Sequence, residues 1–106
     1  MNKYHNKKCT YKDMIFDSKK ERDYYIVLEM MLKNKQISDL RTQVKFELQP
    51  SFKFKGKTIR SINYIADFTY MKDGQLVIVD TKGYRTEVYK LKKKLMQYKG
   101  YDIKEI

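Results

Sequence analysis

The sequence predicts an α/β domain in which a mixed central β-sheet is flanked by an N-terminal helix and a C-terminal basic helix, in the order αβββαβ. Two segments carry apolar residues at helical spacing, one in each half of the chain. Between them, apolar and polar residues alternate in segments that are separated by turn residues. The chain has 106 residues, which fits a single domain over residues 1–106.

The N-terminal part predicts a tail, a short extended segment and a helix. Residues 1–10 are polar and basic, and we expect them to form a flexible tail before an extended segment over residues 11–16. A helix is predicted from Asp17 to about Lys35, because Gly and Pro are absent there and apolar residues recur at helical spacing. The predicted buried stripe consists of Tyr24, Tyr25, Leu28, Met31 and Leu32.

The middle of the chain predicts strands. Residues 44–48 alternate between apolar and polar side chains, and Pro50 stops that strand. Residues 52–55 alternate phenylalanine with lysine up to a glycine turn. A long strand over residues 59–70 then carries Asp67.

The pair Asp73-Gly74, flanked by β-rich segments, is a strong signal for a two-residue hairpin turn. With that turn, Asp67 falls directly opposite Asp80 on the next strand. Residues 76–79 are apolar on both faces, which is typical of a strand covered on both sides. Asp80 is therefore expected to emerge from the core shortly before Gly83 ends the strand.

A second helix is predicted to begin after Thr86, which can cap it, and to end at Gly100. Its predicted buried stripe consists of Val88, Leu91, Leu95 and Tyr98. The opposite face is basic and carries Lys90, Lys92, Lys93, Lys94 and Lys99. Residues 101–106 predict a closing strand.

The charge of the chain indicates a polyanionic partner. Lys and Arg number 24 against 13 Asp and Glu, a net charge of +11. Nucleic acid is favoured over a membrane surface, since no strongly apolar helix face accompanies the charge. A ribosomal or packaging protein would also fit, and a high lysine count can serve solubility alone. The residues expected to contact DNA are Lys90, Lys92 and Lys93, with Arg85 and Lys19.

The composition limits the chemistry. One cysteine, Cys9, and one histidine, His5, cannot form an internal disulfide or a Cys/His zinc site. The sequence has no apolar run long enough to cross a membrane and no apparent signal peptide, so we expect a cytoplasmic protein. Any bound metal is expected to have oxygen ligands.

Asp67, Asp80 and Lys82 predict a site that cleaves phosphodiester bonds. Two carboxylates directly across a strand pair repel each other, so they need a compensating cation or a raised pKa, and a divalent metal satisfies that need. Lys82 lies two residues after Asp80 and is expected on the same side of the strand. The alternative is structural, because aspartates at strand ends often cap loops.

Glu21 has two interpretations. In Ser18-Lys19-Lys20-Glu21 it completes a capping box at the start of the first helix. It also continues the buried stripe, three residues before Tyr24 and seven before Leu28. A carboxylate at that position can meet the sheet and bind metal directly or through water.

These residues resemble the PD-(D/E)XK nuclease superfamily, in particular its small phage-encoded members related to Holliday-junction resolvases. The resemblance rests on three motifs in order: residues 16–21 with the first acid, residues 65–68 with Asp67, and residues 79–83 with Asp80 and Lys82. Ala66 stands where the superfamily usually has proline, and Asp80 where glutamate is more frequent. Neither difference changes the charge of the site.

The resemblance implies a restriction-endonuclease-like core and a Mg²⁺-dependent endonuclease of branched DNA, in which Mn²⁺ would substitute for Mg²⁺. Asp67 and Asp80 would be the principal metal ligands, with the backbone carbonyl of Thr81 and with Glu21. Lys82 would position the attacking water or stabilise developing charge, while Gln43 resembles a polar auxiliary position.

A four-way junction has approximate two-fold symmetry, so a homodimer with one site per subunit is expected. The resemblance also implies that the protein is encoded by a phage and acts in the cytoplasm of a bacterial host. Two alternatives remain: a nicking or flap endonuclease, and a non-catalytic basic protein that binds nucleic acid.

Overall fold

The structure is a computed structural model and describes residues 7–82 and 85–106. In chain order, the elements of the described residues are β1 (Cys9–Tyr11), β2 (Met14–Phe16), α1 (Lys19–Lys33), β3 (Ser38–Gln49), β4 (Phe52–Phe54), β5 (Lys57–Ile59), β6 (Ile62–Lys72), β7 (Gln75–Asp80), α2 (Glu87–Tyr98) and β8 (Ile103–Glu105).

The central sheet has four strands in the order β3-β6-β7-β8. The first two neighbouring pairs are antiparallel, and β7 pairs with β8 in parallel. A parallel pair requires a long crossover, which α2 provides between β7 and β8. The predicted mixed α/β architecture and the order αβββαβ are confirmed for α1, the four sheet strands and α2.

The N-terminal segment departs from the prediction. β1 and β2 form a separate antiparallel hairpin, with Cys9 opposite Phe16 and Tyr11 opposite Met14. The tail predicted over residues 1–10 is therefore wrong for Cys9 and Thr10, which belong to a strand. Residues 1–6 of the predicted tail lie outside the described residues, as does Gly83.

Helix α1 begins as the capping signal predicts. The Ser18 hydroxyl accepts a hydrogen bond from the Glu21 amide at 3.1 Å, which satisfies one of the free N–H groups of the first turn. Glu21 and Leu28 are buried, and Tyr24, Tyr25 and Met31 pack beside them. The predicted stripe is confirmed except at Leu32, whose side chain is exposed.

The turn between β6 and β7 confirms the predicted register. Asp73 and Gly74 are the central residues, with φ of 52° and 76°, and this left-handed pair matches the twist of the flanking strands. Five residue pairs follow from Lys72 opposite Gln75 to Phe68 opposite Val79.

The predicted strand over residues 59–70 is divided in the structure. Ile59 belongs to β5, which pairs with β4 in a small hairpin of its own, and β6 begins at Ile62. Lys55 and Gly56 form the turn of this hairpin with φ of 51° and 77°.

The predicted buried stripe of α2 is wrong at three of its four residues, and only Leu95 is partly buried. Val88, Leu91 and Tyr98 are 61%, 57% and 89% exposed, whereas Met96 is fully buried. Tyr89 packs on the same cluster as Met96. The helix is therefore rotated about its axis relative to the prediction, and its main apolar stripe faces outward.

Two hydrophobic clusters cover opposite faces of the sheet. Val79 packs in the cluster that contains Leu28 of α1, and its neighbour Ile78 packs in the cluster that contains Met96 of α2. Because adjacent strand residues point to opposite faces, the two helices lie on opposite sides of the sheet.

Strand β6 changes face at Asp67. Ala66 packs in the cluster of α2 and Phe68 in the cluster of α1, although two residues so spaced share a face in a regular strand. On β3, Gln43 lies between the partners of these two residues and has a φ of 52°. The ladder is thus distorted at Gln43 and Asp67 together, and this distortion places both residues beside the candidate site.

Candidate functional site

Asp67 is buried in the middle of β6 and its carboxylate is held by the chain that leaves β7. Its Oδ2 accepts hydrogen bonds from the Thr81 amide at 2.8 Å and from the Thr81 hydroxyl at 2.9 Å. Its Oδ1 accepts one from the Lys82 ammonium at 3.0 Å. The change of face at Asp67 and the end of β7 at Asp80 together bring these groups into contact.

Lys82 is the cation that contacts Asp67, and the charges of Asp80 and Glu21 also act on it. Burial lowers the pKa of its ammonium, but the charge and the hydrogen bond of Asp67 act in the opposite direction. Asp80 and Glu21 add to this effect, so the pKa of Lys82 lies above its usual value. The side chain of Lys82 is half exposed, so a charged Lys82 can also reach solvent or a bound anion.

Glu21 approaches the site from α1. Its Oε1 accepts a hydrogen bond from the Asp17 amide at 3.2 Å, and its Oε2 accepts one from the Gln43 side chain at 3.0 Å. Burial, followed by the negative charge of Asp67, raises the pKa of Glu21 to about 7. Glu21 therefore reaches back to the amide of Asp17, one residue before the Ser18 amide that a capping box uses, and also lies within electrostatic range of Asp67.

Asp80 is directed toward the side of the sheet that α2 covers. Its Oδ2 accepts a hydrogen bond from the Tyr64 hydroxyl at 2.8 Å, and the buried Tyr64 belongs to the cluster of α2. Its Oδ1 accepts one from the Lys82 amide at 2.9 Å and contacts the Arg85 guanidinium at 3.3 Å. The bond to the amide two residues later closes an Asx turn, which is the structural role of a strand-end aspartate.

A pocket of about 260 Å³ opens beside Glu21. Its walls come from β2, from Asp17 and Glu21 at the start of α1, and from Thr42 and Gln43 of β3. Glu21 and Gln43 therefore have one side toward Asp67 and Lys82 and another toward this pocket.

The donor atoms near Asp67 suit Mg²⁺ in kind, because this cation prefers carboxylate oxygens and keeps several waters when only one or two carboxylates bind it. In residues 7–82 and 85–106, no group of three or more acidic, histidine or cysteine side chains is arranged to hold a metal. The charge of Asp67 acts on Glu21, so these two carboxylates are the candidate ligands of a partly hydrated ion. The carboxylate of Asp80 is bound on the other side of the sheet.

The residues expected to contact DNA differ in their surroundings. Lys90 is exposed beside Glu87, and Lys19 borders a shallow surface groove on α1. Side-chain nitrogens of Arg85 and Lys93 lie 3.4 Å and 3.2 Å from the Glu105 carboxylate. Lys92 is half buried. Lys19 and Lys90 are thus exposed, although Lys90 pairs with the exposed Glu87, whereas Arg85 and Lys93 are partly buried against Glu105.

Three contributors were missed in the sequence: Tyr64, the side chain of Thr81, and Glu105. Tyr64 and Thr81 supply donors to Asp80 and Asp67, and Glu105 accepts a hydrogen bond from Tyr89 at 2.6 Å in addition to its two cations. The signal for Tyr64 was its place in an apolar strand, because a buried tyrosine hydroxyl needs a hydrogen-bond partner. Glu105 gives no comparable signal near the C-terminus.

A family model described as a protein of unknown function (DUF1064) matches residues 1–106, which is the whole chain. Searches of curated proteins and of solved structures found no match. Neither helix in the described part of the chain is both long and apolar enough to span a membrane.

Proposed function

We propose that this chain, which belongs to the DUF1064 family, is a Mg²⁺-dependent endonuclease that selects branched DNA, as a phage Holliday-junction resolvase does. The proposal includes a restriction-endonuclease-like arrangement of α1, β3, β6, β7 and α2. It also includes action in the cytoplasm of a bacterial host and substitution of Mn²⁺ for Mg²⁺.

One observation carries the proposal: the Lys82 ammonium binds the buried Asp67 carboxylate at 3.0 Å while Asp80 and Glu21 also act on its pKa. The direct contact between Lys82 and Asp67 supports the prediction from the three motifs, which is a lysine among acids from two strands and a helix. Perturbed ionisable groups that cluster in this way are common at catalytic sites.

The chemistry follows from the residue types. When bound, Mg²⁺ supplies an activated water and neutralises charge that develops on the phosphate. Asp67 and Glu21 would hold the ion, and the Thr81 carbonyl would be a further ligand. Asp80 would also bind it if its side chain leaves the Asx turn. Lys82, whose pKa is raised, stays protonated and would stabilise developing negative charge rather than accept a proton. Gln43 would orient Glu21 through its hydrogen bond.

The proposal includes a homodimer, because cleavage of two symmetry-related strands requires two sites. The exposed stripe of Val88, Leu91 and Tyr98 on α2 is the contact we assign to the second copy. A helix that presents its apolar side outward in a small basic domain is stabilised when that side is covered.

A second candidate, a non-catalytic basic module that binds nucleic acid, is favoured by one observation. Asp67 and Asp80 are each fully engaged by donors of the same chain, as structural carboxylates are. Both candidates require nucleic-acid binding, and they differ in whether a phosphodiester bond is cut.

The test uses purified protein with a labelled four-way junction, a linear duplex and a single strand, each with and without Mg²⁺. We expect cleavage of the junction only with Mg²⁺, and loss of cleavage with retained binding in Asp67→Asn. Asp73→Asn is the matched control, since it makes the same change in an exposed turn that favours asparagine. Normal turnover by Asp67→Asn would overturn the site, and binding without any cleavage would favour the second candidate. A flapped and a nicked duplex complete the set of substrates, and cleavage of these alone would replace the junction as substrate.

A further inference from the structure

The β4–β5 hairpin exposes aromatic side chains. All of its paired residues are exposed, and Phe52 and Phe54 are 45% and 57% accessible. Phe52 lies opposite Ile59, and Phe54 lies opposite Lys57. Since these two pairs are separated by one residue on each strand, they share a face, and that face carries both phenylalanine rings.

Cations surround these rings. Residues 50–61 contain Lys53, Lys55, Lys57 and Arg60 and no acidic residue. The Lys55 ammonium lies 5.5 Å from the centre of the Phe54 ring, and Lys57 is the direct cross-strand neighbour of Phe54. On the other face, the Lys53 ammonium donates a hydrogen bond to the Thr58 hydroxyl at 2.6 Å. Phe54 therefore has two lysines beside it, and Phe52 lies on the same face.

We propose that this hairpin is a stacking arm that binds unpaired bases of DNA, with Phe54 and Phe52 as the stacking platform and its lysines on the adjacent phosphates. The inference rests on the proposed function, because it assigns the part of the substrate that this nuclease recognises. Proteins that bind single strands combine a basic surface with aromatic side chains in this way.

Charge decides between DNA and a second copy of this chain as the occupant. A symmetric contact between two such hairpins would bring six lysines together, three from each copy, without an acidic residue on either hairpin. Phosphates neutralise those charges and release condensed counterions. The apolar stripe of α2, in contrast, lies beside acidic Glu87 as well as lysines.

The position of the hairpin suits a branch point. Asp67 lies five residues after Ile62, the first residue of β6, which corresponds to roughly 17 Å along an extended strand. One DNA strand advances roughly 3.4 Å per nucleotide in a duplex. The base of the arm therefore lies about five nucleotides along a DNA strand from Asp67, a separation at which a junction or fork can offer unstacked bases.

The experiment measures binding by fluorescence anisotropy in EDTA, so that it does not depend on cleavage. The probes are a 20-nucleotide single strand, a duplex of the same sequence and a four-way junction. We expect Phe54→Leu to weaken binding of the single strand and the junction about tenfold and of the duplex less than twofold. Phe54→Tyr keeps the ring and should bind within twofold of the wild type. The salt dependence should be unchanged in both, because neither loses a charge.

A fluorescent base analogue in the single strand should be quenched by the wild type and by Phe54→Tyr, but not by Phe54→Leu. The control is Leu76→Ala, an exposed apolar position near the start of β7, opposite Met71 of β6, which should alter neither readout. An equal loss on duplex and single strand would overturn stacking in favour of a backbone contact. Unchanged binding with a changed sedimentation coefficient would make a second copy the occupant.

The two proposals fail differently. A wild type that binds none of the probes overturns both the nuclease and the arm. A wild type that cleaves the junction with Mg²⁺, together with a Phe54→Leu variant that binds the single strand normally, overturns the arm alone.

Discussion

Glu21 differs from the two aspartates in how its charge is compensated. Asp67 is hydrogen-bonded to the Lys82 ammonium and Asp80 contacts the Arg85 guanidinium, so each has a cation at hydrogen-bond distance. Glu21 accepts its hydrogen bonds from a backbone amide and a glutamine, both neutral. It is therefore the acid whose ionisation the folded state opposes, and its raised pKa has a consequence for stability.

The pKa of about 7 makes the stability of the protein depend on Glu21 and on pH. Because the folded-state pKa exceeds the usual 4.5, the folded protein binds the proton more tightly than the unfolded chain does. This stabilisation is complete below about pH 4.5 and is lost as the pH rises through 7. Glutamine imitates the protonated acid and keeps the cap. Glu21→Gln should therefore be more stable than the wild type at pH 8, by up to roughly 3 kcal/mol, and equally stable near pH 4.5.

Urea unfolding of both proteins at pH 5 and pH 8 measures this difference. Glu47→Gln, the same change at an exposed position of β3, should alter stability little at either pH. A Glu21→Gln variant that is no more stable than the wild type at pH 8 would contradict the burial of an ionisable Glu21. In cleavage assays the same variant should be strongly impaired if Glu21 holds metal, and nearly normal if it is only a cap.

Residue-level prediction succeeded where local chain geometry decides the contact. The turn at Asp73 and Gly74 and the short spacing from Asp80 to Lys82 together bring Lys82 to Asp67, and both are readable in the sequence. The separation of the two carboxylates was not readable, because it depends on the change of face at Asp67. That distortion involves Gln43 on another strand with a left-handed backbone that few non-glycine residues adopt.

At the scale of the element, α2 shows the limit of hydrophobic periodicity. The spacing of Val88, Leu91 and Tyr98 predicts a buried stripe, yet the helix turns Tyr89 and Met96 to the sheet instead. The pattern cannot distinguish a stripe that faces the core of the chain from one that faces another molecule, since water is removed from both. Polar contacts on the inner side, from Arg85, Tyr89 and Lys93 to Glu105, hold the observed rotation.

This rotation predicts that Leu91→Gln leaves the folded monomer almost unchanged. A buried leucine would cost roughly 2–5 kcal/mol on truncation, whereas an exposed one lies within about 0.5 kcal/mol. Met96→Ala is the contrasting variant and should cost the larger amount, because Met96 is fully buried. Chemical unfolding measures both variants. Sedimentation of Leu91→Gln should also show loss of the proposed homodimer, and an unaltered dimer would place the contact elsewhere.

The lysines of α2 differ in the acidic residues that they contact. Lys90 is exposed and its pair with exposed Glu87 contributes little, so Lys90→Gln together with Lys94→Gln should leave stability unchanged. If both contact phosphate, the slope of log affinity against log salt should fall by roughly 0.9 for each. Lys93→Gln loses its half-buried pair with Glu105 and should lower stability as well as affinity. An unchanged slope in the double variant would show that this face is only solvated.

At the scale of the molecule, the element order and the strand register of β6 and β7 could be predicted because they depend on local signals: helix caps, alternation and a two-residue turn. The β1–β2 and β4–β5 hairpins could not be divided correctly, since their strands have three residues each and lie outside the central sheet. Short strands carry too few alternations to locate their ends. The β1–β2 hairpin borders the pocket beside Glu21, and the β4–β5 hairpin forms the proposed stacking arm. The sequence signals for strands were therefore weakest in the two hairpins to which we assign a function.

The net charge and the buried acids together predict how Mg²⁺ changes the stability of the whole domain. Salt alone should raise Tm, because it screens the self-repulsion of a chain with a net charge of +11. Specific binding adds to this by mass action: at ten times Kd it contributes about 1.4 kcal/mol, which shifts Tm by roughly 5 °C in a domain of this size. We therefore expect MgCl₂ to raise Tm more than NaCl at equal ionic strength.

The excess from Mg²⁺ should disappear in Asp67→Asn and remain in Asp73→Asn. It should also grow from pH 6 to pH 8, because Mg²⁺ binds the ionised carboxylate and below about pH 7 it must displace the proton from Glu21. Thermal unfolding at both pH values, with the two salts and three proteins, separates screening from binding without any nucleic acid. An equal rise in Tm with MgCl₂ and NaCl in every case would make Asp67 and Glu21 structural acids. The proposal would then retain only nucleic-acid binding by the basic surface.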